Sequence, residues 1–372
     1  MTPEWLSMLT DTSRLAIFGS AICLVVHGSR QSLKLDEEET VDENGTVVTN
    51  TRQSNLQILD SKQALFLPVG ASVSLLMLFY FFDSMQFFFT VVSTVIAGFS
   101  VAAFVLPFFQ YIFKDCPAQQ CRGIACWSRY CECCGPLSLA GLASALVATI
   151  VVVTWVLTAH WALMDALGYG VCVCMIAYVR VSSLRVSTVL LCGLLLYDVF
   201  WVFFSSAIFH SNVMLDVATK EADNPVSMLA NRMNLKHVGM SAPQLSLPGK
   251  LMFPSTNVQG HFAMLGLGDI VMPGLLLCFV MRFDHHKAKY YEPKSTGFKY
   301  YYFTIALMGY AVGLLLASMV SELTHHAQPA LLYLVPCTLI PVVILARVQG
   351  DLRRMWVEPF AGLEKPADVL TV

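Results

Sequence analysis

The sequence is poor in charge. Asp, Glu, Lys and Arg make up 13% of its 372 residues, about half the share of an ordinary soluble domain. The formal net charge is −2, from 23 basic and 25 acidic residues, so the balance gives no reason to expect a nucleic-acid partner. Intrinsic disorder is excluded as well, because a disordered chain needs high charge and low hydrophobicity. No basic stretch precedes the first apolar run: Glu4 and Asp11 stand before Arg14. No small-x-small cleavage site follows it, so the run reads as an uncleaved first span and not as a signal peptide. The two halves of the chain share no convincing similarity, although internal repeats are common among carriers.

What is present is apolar. Hydrophobic residues make up 56% of the chain and the mean hydropathy is +0.63. A soluble fold cannot bury that much apolar surface, which makes the bilayer the first partner. About 20 mostly apolar residues are needed to cross hydrocarbon as a helix. Such stretches lie near 8–28, 63–82, 86–113, 137–160, 164–180, 186–209, 261–281, 301–321 and 328–346, which predicts an all-α polytopic membrane protein of about nine transmembrane helices. Basic residues collect on the side that carries the C-terminus, about 18 against about 5 on the other side. The expected C-terminus is therefore cytosolic and the N-terminus luminal. By the same bias the sequon Asn44-Gly45-Thr46 falls on the cytosolic side and is expected to be unused.

There are 12 cysteines. Cys116, Cys121, Cys126, Cys131, Cys133 and Cys134 crowd the loop after the third span. That loop is predicted to face the reducing cytosol, where disulfides are rare. Zinc binding, S-palmitoylation and free thiols all remain open. The spacing fits no common zinc pattern, so no metal and no cofactor are expected.

Most acids lie in loops, in predicted turns (Asp83, Asp165) or at a span end (Glu322). Asp198 and Asp269 lie inside apolar runs. A charge at the bilayer centre costs at least about 2.5–3.5 kcal/mol, so such acids are functional candidates. Asp198 stands about 12 residues, or roughly 18 Å, before the luminal end of its span. Asp269 stands about 9 residues, or roughly 13 Å, after the luminal start of the next, so the two match in depth. Facing carboxyls share a proton, one acting as general base and the other as general acid, which is equipment for adding water to an amide. A proton-coupled membrane carrier using two midplane aspartates is the alternative.

Around these acids stand Tyr197-Asp198, Gly266-Leu267-Gly268-Asp269 and Pro329-Ala330-Leu331. These resemble, in order and on the sixth, seventh and ninth spans, the YD, GxGD and PAL motifs of intramembrane aspartyl proteases, the family of presenilins and signal peptide peptidases. Gln63 to Pro68, Asp198 to Phe204, Leu247 to Leu251 and Asp351 to Trp356 look like its signal-peptide-peptidase-like 3 branch. The resemblance implies a presenilin-like GxGD fold forming one membrane-embedded protease domain over 1–372. N-terminal spans would occupy about 1–180, catalytic spans six to nine about 181–348, and a short cytosolic tail 349–372. It implies catalytic roles for Asp198 and Asp269. Tyr197, Gly266, Leu267, Gly268, Pro329, Ala330 and Leu331 would support the site and bind substrate. It further implies type II single-pass substrates, release of glycosyltransferase ectodomains, and a Golgi location. Because a substrate helix must unwind before attack, Leu247 to Phe253 or an extended start of span nine is expected to pair with it as an added strand.

Overall fold

A computed structural model describes residues 12–38, 57–113, 139–209, 248–254, 262–290, 301–324, 328–357 and 359–360, with single positions between 213 and 245. The sequon, the cysteine-rich loop and the last residues of the tail lie outside the described residues. Helix α1 is Thr12–Glu38, β1 is Gln57–Leu59 and α2 is Ser61–Ile112. Helices α3 (Leu139–Thr158) and α4 (Trp161–Tyr178) follow, then β2 (Val179–Val181) and α5 (Leu184–Val199). A π-helical segment, Phe200–Phe204, runs into α6 (Ser205–Phe209). The rest is β3 (Lys250–Pro254), β4 (Phe262–Gly266), α7 (Leu267–Tyr290), α8 (Tyr301–Thr324), α9 (Leu331–Val348) and α10 (Leu352–Val357).

The fold is an all-α polytopic membrane architecture. Among the described residues eight helical stretches are long and apolar enough to cross a bilayer. Two belong to α2, Ser61–Phe82 and Gln86–Ile112. The first packs on α5, where Pro68 meets Gly193, and the second on α3 and α4, where Gly98 meets Val152 and Gly170 meets Val101. The expected turn at Asp83 is helical backbone, and its side chain lies outside the described residues.

The seventh expected span, near 261–281, is the exception. Its helix, α7, begins at Leu267, not near 261, and its second half carries Arg282, Asp284, Lys287 and Lys289. The five residues before it are a strand paired antiparallel with β3, from Lys250↔Gly266 to Pro254↔Phe262. An apolar run of five does not distinguish strand from buried helix by periodicity. Strand and helix together suffice: five extended residues at about 3.3 Å and the helix from 267 to 281 at about 1.5 Å per residue cover the hydrocarbon.

Helix α7 is the axis of the bundle. Leu275, Leu276, Leu277, Cys278, Phe279, Val280 and Met281 are all buried, as expected of a helix apolar on every face. The helices α1, α4, α5, α8 and α9 surround it. The outer helices turn large apolar side chains outward instead, among them Phe66, Phe99 and Ile344, which suits contact with lipid tails. At one end Arg14 of α1 pairs with Glu322 of α8, placing the start of α1 and the end of α8 on the same side.

At the end of α7 remote from Asp269, charges close the bundle. Asp284 Oδ2 accepts the Phe303 N–H at 2.8 Å, satisfying one of the open donors in the first turn of α8. Asp351 Oδ2 accepts from Lys287 Nζ at 2.6 Å and from the Tyr302 hydroxyl at 2.9 Å. Replacing Lys287 by Met should leave Asp351 a poorly compensated, mostly buried acid and cost roughly 2 kcal/mol. Thermal unfolding in detergent checks this. A midpoint unchanged from wild type would show that the cluster contributes nothing.

Candidate active site

Asp198 is the last but one residue of α5, 4% exposed, immediately before the π-helical segment. Single π turns shift helix register and recur at functional sites. Here the segment places Trp201 inward at 3% exposure, its indole N–H donating to Ser72 Oγ at 3.1 Å. Tyr197 packs on Trp201, ring centroids 6.4 Å apart, and joins the small apolar cluster of Leu75, Trp201 and Val213. It therefore anchors the helix that carries Asp198.

Pro329-Ala330-Leu331 reaches the same acid. Gln328 and Pro329 are non-helical, Ala330 is the cap residue of α9, and Leu331 is its first helical residue. The start is thus a tight cap and not an extended strand. The first N–H groups of a helix have no partner within it and carry partial positive charge. The Leu331 N–H donates to Asp198 Oδ2 at 3.0 Å in a buried setting. The motif therefore aims a helix N-terminus at an intramembrane carboxylate.

Asp269 lies in the first turn of α7, within electrostatic range of Asp198. Depth matching by helical rise does not hold in detail, because 262–266 is strand, yet the two acids still lie within electrostatic range of each other. Gly266 explains the close approach of backbone and carboxylate. A Cβ built there would stand 3.3 Å from Asp269 Oδ2. A Cβ on Gly268 would meet nothing within 4 Å, so Gly268 borders open space. Leu267 is 8% exposed and structural: its N–H donates to the Gly249 carbonyl at 3.1 Å and its side chain lies against Gly168. Sequence reasoning missed Tyr310, fully buried on α8, whose hydroxyl donates to the Asp269 carbonyl at 3.3 Å.

The β3–β4 hairpin has one usable edge. The Leu267–Gly249 bond makes that pair hydrogen-bonded, and such pairs alternate along an antiparallel ladder. Lys250/Gly266, Met252/Met264 and Pro254/Phe262 are therefore the pairs whose backbone groups point outward. On β3, the Met252 N–H donates to Asp165 Oδ1 at 2.9 Å, and Pro254 has no N–H to offer. On β4, Phe262 and Met264 are 39% and 54% exposed, and no third strand pairs with it among the described residues. The expectation that Leu247 to Phe253 receives a substrate strand shifts to β4, whose outer edge ends at Gly266, beside Asp269. Asp165 likewise differs from expectation: it sits in the first turns of α4, 4% exposed, and not in a turn between spans.

A family profile described as signal peptide peptidase matches residues 51–361. The chain belongs to the signal peptide peptidase family. It is thus an intramembrane protease of the aspartic class and a multi-pass membrane protein. It is 37% identical over 314 residues to signal peptide peptidase-like 1 of Arabidopsis thaliana, covering 81% of this chain and 82% of that one. With signal peptide peptidase-like 1 of Oryza sativa subsp. japonica it is 34% identical over 370 residues, 94% of each. Signal peptide peptidase-like 3 of Arabidopsis thaliana is 34% identical over 298 residues, 79% of this chain and 49% of that one. No solved structure matches the chain. The match to the family profile spans all three motifs.

The two glycines of GxGD separate two effects. Gly266→Ala should push the Asp269 carboxyl aside by a few tenths of an ångström and lower kcat, by less than the about 10²-fold that a 1 Å misplacement can cost. Gly268→Ala fills space a peptide backbone would enter, and should raise KM about tenfold with a smaller change in kcat. Steady-state kinetics on one substrate checks both, and equal effects on the two constants would contradict the assignment.

Proposed function

We propose that Asp198 and Asp269 are the catalytic pair. The observation that carries this is that two intramembrane carboxyls, from α5 and α7, lie within electrostatic range of each other, one of them held by the N-terminus of α9. Asp198 accepts an amide N–H and is the ionised member. Asp269 carries the proton they share. Asp198 takes a proton from the attacking water while Asp269 donates to the carbonyl oxygen as the gem-diol forms. The roles then reverse, protonating the leaving nitrogen and collapsing the gem-diol to a carboxylic acid. Tyr197, Leu267, Pro329, Ala330 and Leu331 hold the pair, Gly266 leaves room for the Asp269 carboxylate, and Gly268 leaves room for substrate.

The substrate is a type II single-pass protein, its N-terminus cytosolic, cut in or near its transmembrane segment. Golgi glycosyltransferases released as ectodomains are the class implied. The distribution of basic residues supports a cytosolic C-terminus and luminal N-terminus for the protease, and the Golgi as its compartment follows from the substrate class. A locally unwound substrate would lose backbone hydrogen bonds at several kcal/mol per group in lipid. The outer edge of β4, unpaired among the described residues, replaces them by pairing through Phe262, Met264 and Gly266, which brings the following peptide bond to Asp269.

The test uses the purified full chain in liposomes. A glycosyltransferase anchor segment tagged at both ends is presented in type II orientation and, in a second preparation, inverted. Mass spectrometry should find cleavage near the segment in the type II preparation and at least tenfold less in the inverted one. Equal cleavage of both would remove the type II assignment. No cleavage of either, with a folded protein, would turn the reading toward a proton-coupled carrier.

A further inference from the structure

Asp165 is an acid inside a membrane helix that the dyad does not use. Its burial is costly in lipid, and one of its two oxygens, Oδ2, is buried with no hydrogen-bond partner among the described residues. Packing alone would not keep an acid there. The other oxygen accepts the Met252 N–H at 2.9 Å.

The neighbours of Asp165 show what that bond does. Trp161, Asp165 and Gly168 lie at i, i+4 and i+7, on one face of α4. Each meets a successive residue of β3. Trp161 lies against Phe253, ring centroids 6.1 Å apart. Asp165 holds the backbone of Met252. Gly168 receives the Leu251 side chain, whose Cδ2 would stand 3.1 Å from an added Cβ. The two apolar contacts could slide along the helix. The hydrogen bond is directional and fixes a single register.

We propose that Asp165 is a positioning residue for the peptidase reaction: by holding the Met252 N–H it sets the register of the β3–β4 hairpin on α4, and so the point at which β4 presents a substrate strand to Asp269. This rests on the strand-pairing reading of β4. Asp165 touches neither the reacting atoms nor the substrate. Its effect appears in where the substrate is cut, since sliding the hairpin by one residue moves the presented bond by about 3.3 Å.

The experiment measures cut positions by mass spectrometry, normalised to total product, for the full chain in liposomes and one type II substrate. Asp165→Asn keeps an acceptor of equal reach and should keep the wild-type cut pattern. Asp165→Glu keeps the acceptor but reaches one methylene farther, and should displace the main cut. Asp165→Ala has no acceptor and should spread the cuts over several bonds, with KM up about threefold to tenfold, the order for one lost hydrogen bond, and kcat changed less. A purely structural role would lower total product with the folded fraction and leave the normalised pattern alone. If Asp165→Glu and Asp165→Ala both give the wild-type pattern, the proposal is wrong. It is also wrong if Asp165→Asn scatters cuts as Asp165→Ala does. Should Asp165→Ala fail to fold, the Asn and Glu pair decides. Binding of a transition-state isostere to each variant separates the two failures. Wild type that binds no isostere and cuts nothing overturns the dyad reading. Wild type that cuts, with Met264→Pro leaving KM and cut position unaltered, overturns strand pairing on β4. Intact strand pairing with no effect at Asp165 overturns only this inference.

Discussion

Replacing Asp198 or Asp269 by Asn should abolish cleavage, with a fall of at least about 10⁴-fold for either single variant. One carboxyl cannot both take a proton from water and give one to the carbonyl oxygen, so losing either stops the cycle. The double variant should be no worse than the single ones, because the two act as a unit. The Asn and Ala forms should differ in stability and not in activity. The amide of Asp198→Asn still offers an oxygen to the Leu331 N–H, whereas Asp198→Ala leaves that donor buried and unpaired at the start of α9, a loss of about 1–3 kcal/mol. Asp198→Asn should thus unfold near the wild-type midpoint and be inactive, while Asp198→Ala should be inactive and less stable. Purified protein in liposomes, fragments read by mass spectrometry and a thermal scan in detergent measure both properties. More than a tenth of wild-type turnover in Asp198→Asn would falsify the two-acid mechanism.

The residues of that mechanism stand out in the sequence for a physical reason. In a chain this apolar, an acid within a span is conspicuous because lipid penalises it. Asp198 and Asp269 are visible for that reason, and so are the motif residues around them. The same contrast hides other parts. Asp165 looks like a turn residue because one apolar run ends near it. Its partner Met252 is 87 positions away, a pairing that no local pattern encodes. The extended stretch Phe262–Gly266 reads as the start of a helix, since a short apolar run fits either state. The π segment after Asp198 leaves no mark in hydropathy. Tyr310 is one aromatic among many in an apolar span, and only its contact with the Asp269 backbone singles it out. In the sequence the run near 261–281 reads as a span like the others, yet the burial of helix α7 on every side from Leu275 to Met281 shows that it is the core around which the others stand.

The tightest contact in the bundle predicts a loss of activity at a distance from the acids. A Cβ on Gly309 of α8 would stand 2.0 Å from the Cys337 carbonyl oxygen and 3.4 Å from the Thr338 Cα of α9. Both are backbone atoms, so no rotamer change relieves the clash. Reaching ordinary contact near 3.5 Å requires the helices to part by about 1 Å or more. Helix α9 begins at Leu331, whose N–H holds Asp198, and a rigid helix carries the displacement to its first turn. A 1 Å misplacement of catalytic groups can cost about 10²-fold. Gly309→Ala should therefore lower kcat about 10²-fold and stability by about 1–3 kcal/mol. Gly313→Ala should do less, because its Cβ would stand 3.0 Å from the Leu334 Cα. Both variants can be followed by cleavage kinetics and isostere binding in liposomes. Wild-type kcat in Gly309→Ala would mean that α8 does not set the position of Leu331. A reduced kcat with matching loss of isostere affinity would mean that the two glycines, beyond letting helices pack in lipid, hold the α9 N-terminus where Asp198 needs it.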